Sequence, residues 1–181
     1  MLRIGSFGRK VKELQIKLNR LHFIIGRPTG GFGIKTRSAV KRFQCAYGLK
    51  QDALVGPKTR AALAKNGQLS KHFHVDEFYS KGNGDLNLNQ ELITRLEKLR
   101  SSLGRAIYIT SGYRDPRYNR RVGGVRKSQH VLGRAADIVV KGRSLGNIAS
   151  RANEAGFRGI GIYHRNNFIH VDVRLGRTAR W

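Results

Sequence analysis

Apolar positions fall into two regimes along this chain. In the first third, Val11, Leu14, Leu18 and Leu21 recur at intervals of three and four, the spacing of one face of an amphipathic helix. Ala39, Val40 and Phe43 form a second stripe. Gly-x-Lys-Thr-Arg-x-Ala starts at Gly33 and again at Gly56, 23 positions later, each glycine preceding a helical pattern. Pro57 suits a first helical turn, where its missing N–H costs nothing. The stretch from Gly5 to Ala64 therefore predicts three helices joined by glycine-rich turns. Polar residues and Asn66-Gly67 then break the periodicity, as a joint between domains does. Beyond it Leu92, Leu96 and Leu99 share one helical face, with Glu97 and Arg100 outside it and Gly104 placed as a C-cap. Short β-branched runs follow, AIYIT, AADIVV and NFIHVDV, with a helical SLGNIASRANEAGF between the last two. The expectation is two domains: an all-α three-helix unit over residues 1–66, and an α+β domain with an antiparallel sheet over 67–181.

Composition narrows the function classes. At 181 residues the chain could be one domain or two small ones, and 39% apolar residues allow a packed core. No apolar run reaches the eighteen or so residues of a membrane span. The start, MLRIGSFGRKVKEL, lacks the apolar segment of a secretory signal, so synthesis in the cytoplasm without a signal peptide is expected. The single cysteine, Cys45, excludes an internal disulfide and a cysteine metal cluster, and is read as a small packing residue. Against 11 acids stand 36 lysines and arginines, a net charge of +25. That balance draws the chain to polyanions. The basic residues are spread throughout rather than gathered in a tail.

Acids and histidines are few, so any site must come from a short roster. His130 and Asp137 stand seven apart in SQHVLGRAADIVV. A continuous helix would separate them by roughly 10 Å, too far for ligands about 2 Å from one zinc. Gly133 interrupts the segment and allows a fold-back, and the small Ala135 and Ala136 allow close backbone approach. On these residues alone a ligand pair and a salt-bridged aspartate beside a structural histidine are equally compatible. In NFIHVDVR, alternation puts Phe168, His170 and Asp172 on one face and Ile169, Val171 and Val173 on the other. His170 thus supplies a third ligand candidate. Two imidazoles and a carboxylate make an open tripod with a fourth position for water, a donor set suited to zinc. Arg114, just after AIYIT, is placed to grip a carboxylate, the bland alternative being one more surface arginine. His72 and His74, near Asp76 and Glu77, form a rival metal pair that reads better as a packed interdomain segment.

Two resemblances arise from these residues. GGFGIKTRSAVKRFQCAYGLKQDALVGPKTRAAL resembles the peptidoglycan-binding module found beside cell-wall hydrolases, with Ala53 where that family has glycine. Ser128, His130, Gly133, Ala135 and Asp137, with Ser111 to Arg114 and the final histidine of FIHVDVR, resemble the LAS superfamily of zinc peptidases, in the D-alanyl-D-alanine carboxypeptidase family. The resemblance implies one zinc ion (Zn2+) at His130, Asp137 and His170, and substrate anchoring by Arg114. Better-known members carry Asp or Glu three residues before the last histidine, where this chain has Asn167. Asp172 is taken as the substitute catalytic base, with support of a ligand as its other role and His164 as the weaker candidate. The implied function is hydrolysis of an amide in the peptidoglycan stem or cross-link, in the manner of a phage endolysin acting on the cell wall. Carboxypeptidase trimming is the enzymatic alternative, and a non-catalytic basic binding protein the other. Expected partners are peptidoglycan and anionic envelope polymers or lipopolysaccharide, with no specific nucleic acid, and the chain is expected to be a monomer.

Overall fold

The computed structural model describes residues 1–181. Its first region holds α1 (Arg9–Arg20), α2 (Ile34–Ala46) and α3 (Pro57–Ala64). The sequence repeat is a repeat of structure. Gly33 and Gly56 precede α2 and α3 with nearly identical extended backbone, φ −93° and −89°. Each repeat threonine is buried and meets a buried glutamine from the preceding helix. Gln15 Nε2 donates to Thr36 Oγ1 at 2.9 Å, and Gln44 Nε2 to Thr59 Oγ1 at 3.3 Å. Each glutamine also accepts one loop N–H, from Gly30 at 2.8 Å and from Ala53 at 2.9 Å. A buried amide satisfied on both sides fixes its loop firmly, because leaving it unpaired is costly. Ala53 holds φ 62°, a conformation in which glycine is cheaper, which explains glycine's usual presence at this turn.

A sheet of five strands dominates the second region: β1 (Tyr108–Ser111), β2 (Ala135–Val139), β3 (Gly159–Tyr163), β4 (Phe168–Asp172) and β5 (Ala179–Arg180), in the order β1-β2-β4-β3-β5. The first four pair antiparallel as expected, whereas β5 lies parallel to β3 and makes the sheet mixed. The alternation in β4 holds, with Ile169 and Val171 fully buried. Together with Ile138 and Ile160 they form the apolar face, which α6 (Leu145–Glu154) covers, with α4 (Gln90–Leu103) packed beyond it. Gly104 ends α4 in the left-handed region at φ 62°. Between β1 and β2 runs α5 (Pro116–Arg121), capped by Asp115. Glu97 is not free on its helix: its carboxylate accepts from the His72 backbone and meets His72 Nδ1, both at 2.8 Å. Burial raises the thiol pKa of half-buried Cys45.

One apolar cluster of 38 buried residues, from Val11 to Val173, runs through both regions, so they share a core rather than hanging on a free linker. A polar clasp closes the seam. From α2, Arg42 donates to Asp85 Oδ1 at 2.5 Å, to the Leu86 carbonyl at 2.7 Å and to the Ile24 carbonyl at 3.2 Å. The Leu86 N–H donates to the His22 carbonyl at 2.7 Å. Arg42→Ala would leave the Asp85 carboxylate only the Ile24 N–H, at 3.0 Å, and strip the Leu86 and Ile24 carbonyls of their donor. The expected cost is about 1–3 kcal/mol, seen as a lower Tm in thermal denaturation. Arg9→Ala, at a position 92% exposed, should leave Tm unchanged, and equal melting of the two variants would refute the clasp.

Candidate metal centre

The sheet's second face carries the chemistry. Opposed residues on antiparallel neighbours point the same way, and the register sets Ser111 opposite Asp137, Asp137 opposite His170 and Phe168 opposite Tyr163. His130 arrives from the loop before β2. Gly133, at φ +67°, turns the chain back, and its N–H donates to the His130 carbonyl at 3.1 Å. The expected fold-back is therefore present. His130, Asp137 and His170 are 3%, 6% and 8% exposed, and one ligand atom from each lies within 4.8 Å of the others.

Hydrogen-bond partners fix which nitrogens face inward. His130 Nδ1 lies 2.7 Å from the Gly112 carbonyl, which can only accept, so Nδ1 carries the proton and Nε2 presents a lone pair. His170 Nε2 lies 3.2 Å from the Asp172 carboxylate, so its Nδ1 presents a lone pair when the ring is neutral. These two nitrogens face each other at 3.1 Å. Asp137 Oδ1 stands 3.2 Å from the first and 2.9 Å from the second. Three lone pairs converging at such distances repel unless a cation or a proton sits among them. The triangle is close to the edge length of about 3.3 Å in a tetrahedral zinc site with bonds of about 2.0 Å. The donor set fits zinc. Burial would raise the Asp137 carboxyl pKa, but its contacts with both imidazoles outweigh that and hold it well below the carboxylate range. Burial likewise opposes protonation of His170, and the Asp137 and Asp172 carboxylates override it, raising that pKa.

Asp172 sits beside His170 Nε2. It is 0% exposed and lies behind His170, outside the cleft lining. Arg174 holds it in a fork, Nε to Oδ1 at 2.9 Å and Nη2 to Oδ2 at 2.6 Å, with the Arg174 N–H adding 3.0 Å to Oδ1. Burial would raise its pKa, but these donors hold it well below the usual range. Against the expectation that Asp172 takes a proton from cleft water, its oxygens are engaged by Arg174 and His170 and lie outside the cleft lining. Asn167 sits at φ 52° as the exposed end of a 3₁₀ turn, a left-handed position that asparagine tolerates well. Neither Asn167 nor His164 lines the cleft. His72 is held by Glu97, and His74 caps the 3₁₀ turn Val75–Glu77, so the rival histidine pair does not converge.

The cleft over the triangle encloses about 610 Å³. Arg114 reaches it from beyond β1, donating through Nε to Ser111 Oγ at 2.8 Å and through Nη2 to Asp137 Oδ2. Residues 122–125 and 127–129 border the cleft, as do Tyr163, Phe168, Arg174 and Trp181. Sequence reading singled out neither Tyr163, Arg174 nor Trp181. The signals were present: Arg174 continues the alternation of β4 by two, and Trp181 is the one tryptophan.

Comparison with known proteins finds matches in both regions. Residues 8–63 match the family model described as a putative peptidoglycan binding domain. Zinc D-Ala-D-Ala carboxypeptidase of Streptomyces albus G is 29% identical, the match covering 96% of this chain and 75% of that protein. Peptidoglycan L,D-endopeptidase MepK of Escherichia coli K12 is 31% identical over 63% of this chain and 65% of its own length. A spore cortex-lytic enzyme of Halalkalibacterium halodurans is 36% identical over 43% of this chain and 23% of its own length. With residues 64–172 matching the peptidase M15 model, which spans the fold-back, the histidine pair and Asp137, the chain belongs to the peptidase M15 family.

Proposed function

We propose that this protein is a zinc-dependent peptidoglycan hydrolase that cleaves an amide in the stem peptide or cross-link, its helical region holding the wall polymer. The joint lies at residues 66–67. The observation that carries the reading is the converging lone-pair triangle on the floor of an open cleft. His130 through Nε2, His170 through Nδ1 and Asp137 through Oδ1 would hold the ion. Bound there, zinc supplies a Lewis acid for the scissile carbonyl and lowers the pKa of water. Asp172 keeps the His170 ring turned and its Nε2 protonated, the orienting part that a carboxylate plays behind a ligating histidine. Arg114 binds substrate: its Nη1 makes no protein hydrogen bond, and a guanidinium edge grips a carboxylate or a carbonyl. The net charge of +25 adds adsorption to anionic wall polymers, and the chain works as a monomer at the cell wall.

Digestion of purified peptidoglycan with zinc-supplemented protein, followed by mass spectrometry of the fragments, tests the reading. New termini inside stems or cross-links are expected. Release of free terminal D-alanine alone would assign carboxypeptidase action instead. The absence of any new amino group would refute hydrolysis and leave a binding protein.

Acid should expel the metal. The His170 pKa is raised in the metal-free protein, and binding requires neutral imidazole, so protons compete more strongly as pH falls. Zinc affinity should therefore rise with pH and weaken toward mild acid. Competition with a chromophoric chelator at several pH values measures this; a flat affinity would contradict the ligand set.

A further inference from the structure

Trp181 is held by more contacts than a surface residue needs. Its N–H donates to the Ile160 carbonyl at 3.2 Å, and its backbone oxygen accepts from Ile162 at 2.8 Å. Its indole Nε1 donates to the Tyr163 hydroxyl at 3.1 Å, and its ring lies 5.3 Å from that of His170. The Arg174 guanidinium stands 5.2 Å from the same ring. Room for the indole comes from Gly161: a Cβ there would fall 2.5 Å from it. Even so, Trp181 stays 50% exposed and lines the cleft. An aromatic ring fixed by these contacts and still half exposed to the cleft is a surface for a ligand.

Sheet order gives the surface its meaning. The ligand candidates on β2 and β4 are central, Arg114 follows β1 at one edge, and Trp181 follows β5 at the other. Arg174 spends Nε and Nη2 on Asp172, and its Nη1 makes no protein hydrogen bond. We propose that Trp181 and Arg174 form a second substrate anchor, across the metal centre from Arg114, that selects peptides bearing a carboxylate on each side of the cleaved amide. Methylenes of the substrate lie on the indole, and their carboxylate meets the open edge of Arg174. Lys127, also lining the cleft, adds positive potential. This inference rests on the peptide-hydrolase reading and extends it to the substrate's charge pattern.

The test uses a synthetic stem peptide with a carboxylate on both sides of the scissile amide, and two versions each amidated on one side. Either amidation should raise KM by about tenfold or more, the equivalent of roughly 1.4 kcal/mol. Trp181→Ala should raise KM for the diacid by a similar factor, with kcat within about threefold and zinc content unchanged. Because Trp181 is the only tryptophan, product fragments added to the zinc-loaded protein should change its fluorescence saturably, and Trp181→Phe should abolish that signal. A KM insensitive to one of the amidations would overturn the second anchor. So would a Trp181→Ala variant that loses zinc or kcat at unchanged KM, since the indole would then only brace His170. If no peptide is cleaved, the hydrolase reading fails, while the fluorescence titration still decides whether diacid fragments bind beside Trp181.

Discussion

His130→Ala should abolish hydrolysis of peptidoglycan, by about a thousandfold or more, while the protein stays folded. The imidazole supplies one of three inward lone pairs, and its loss leaves a carboxylate and a single histidine, too few to hold zinc against dilution. Bound zinc measured after dialysis should fall from one ion per chain toward none, and circular dichroism should match the parent. Retained hydrolysis would sink the proposed centre. Asp172→Asn makes the sharper companion. If Asp172 orients His170, zinc affinity drops by about 10–100-fold and added zinc restores turnover. A variant that binds zinc normally but does not turn over would return Asp172 to the role of base. The geometry argues against that outcome, since both its oxygens are engaged by Arg174.

Gly133→Ala should be strongly destabilising. The position holds φ +67°, and a Cβ there would stand 2.7 Å from the Asn87 carbonyl carbon and closer still to its oxygen. The neighbour is backbone and has nowhere to rotate. Left-handed strain alone costs about 1–3 kcal/mol, and the clash adds to it. A loss of about 3 kcal/mol or more follows, or roughly 6–12 °C in Tm for a chain of this size. Gly123→Ala separates the two causes, because it has φ +75° with nothing within 4 Å of the added Cβ. It should cost the strain alone. Equal melting temperatures for the two variants would show that the approach of Asn87 is unimportant. Zinc binding should fall with Gly133→Ala as well, because the same turn brings His130 back to Asp137.

Periodicity alone located the helices α1, α2, α4 and α6 and the strands β1, β2 and β4. These segments have one apolar face, and that face must be buried. The pattern failed where the opposite need ruled. Strand β3 reads Gly-Ile-Gly-Ile-Tyr and was not anticipated, because glycine is weak in strands. In the structure those glycines are what makes the face usable: Gly159 leaves room for the Asp172 carboxylate and Gly161 for the indole of Trp181. An empty position carries no signal until its occupant arrives from elsewhere in the chain. Helix α5 escaped notice for a related reason, being only six residues long and lacking an apolar stripe.

His130, Asp137 and His170 were legible as a candidate ligand set because zinc needs those donor types and a turn between the first two. Local alternation put His170 and Asp172 on one face, and by itself it made Asp172 a plausible base. Distinguishing a base from an orienting carboxylate requires knowing which nitrogen of His170 faces inward, and where Arg174 places its fork. Asn167 likewise reads as a missing base in sequence, and in the fold it is the left-handed end of a turn. The sequence determined the residue types that can hold a metal and the faces on which they lie, because both follow from chemistry and from periods of two and 3.6. Tertiary structure alone decided which lone pairs meet, which carboxylate is already spent, and what borders the cleft. The meeting of lone pairs rests on contacts across the fold, such as His130 with His170, 40 positions apart. The engagement of Asp172 rests on how the Arg174 side chain turns back from two positions on. Alternation encodes neither.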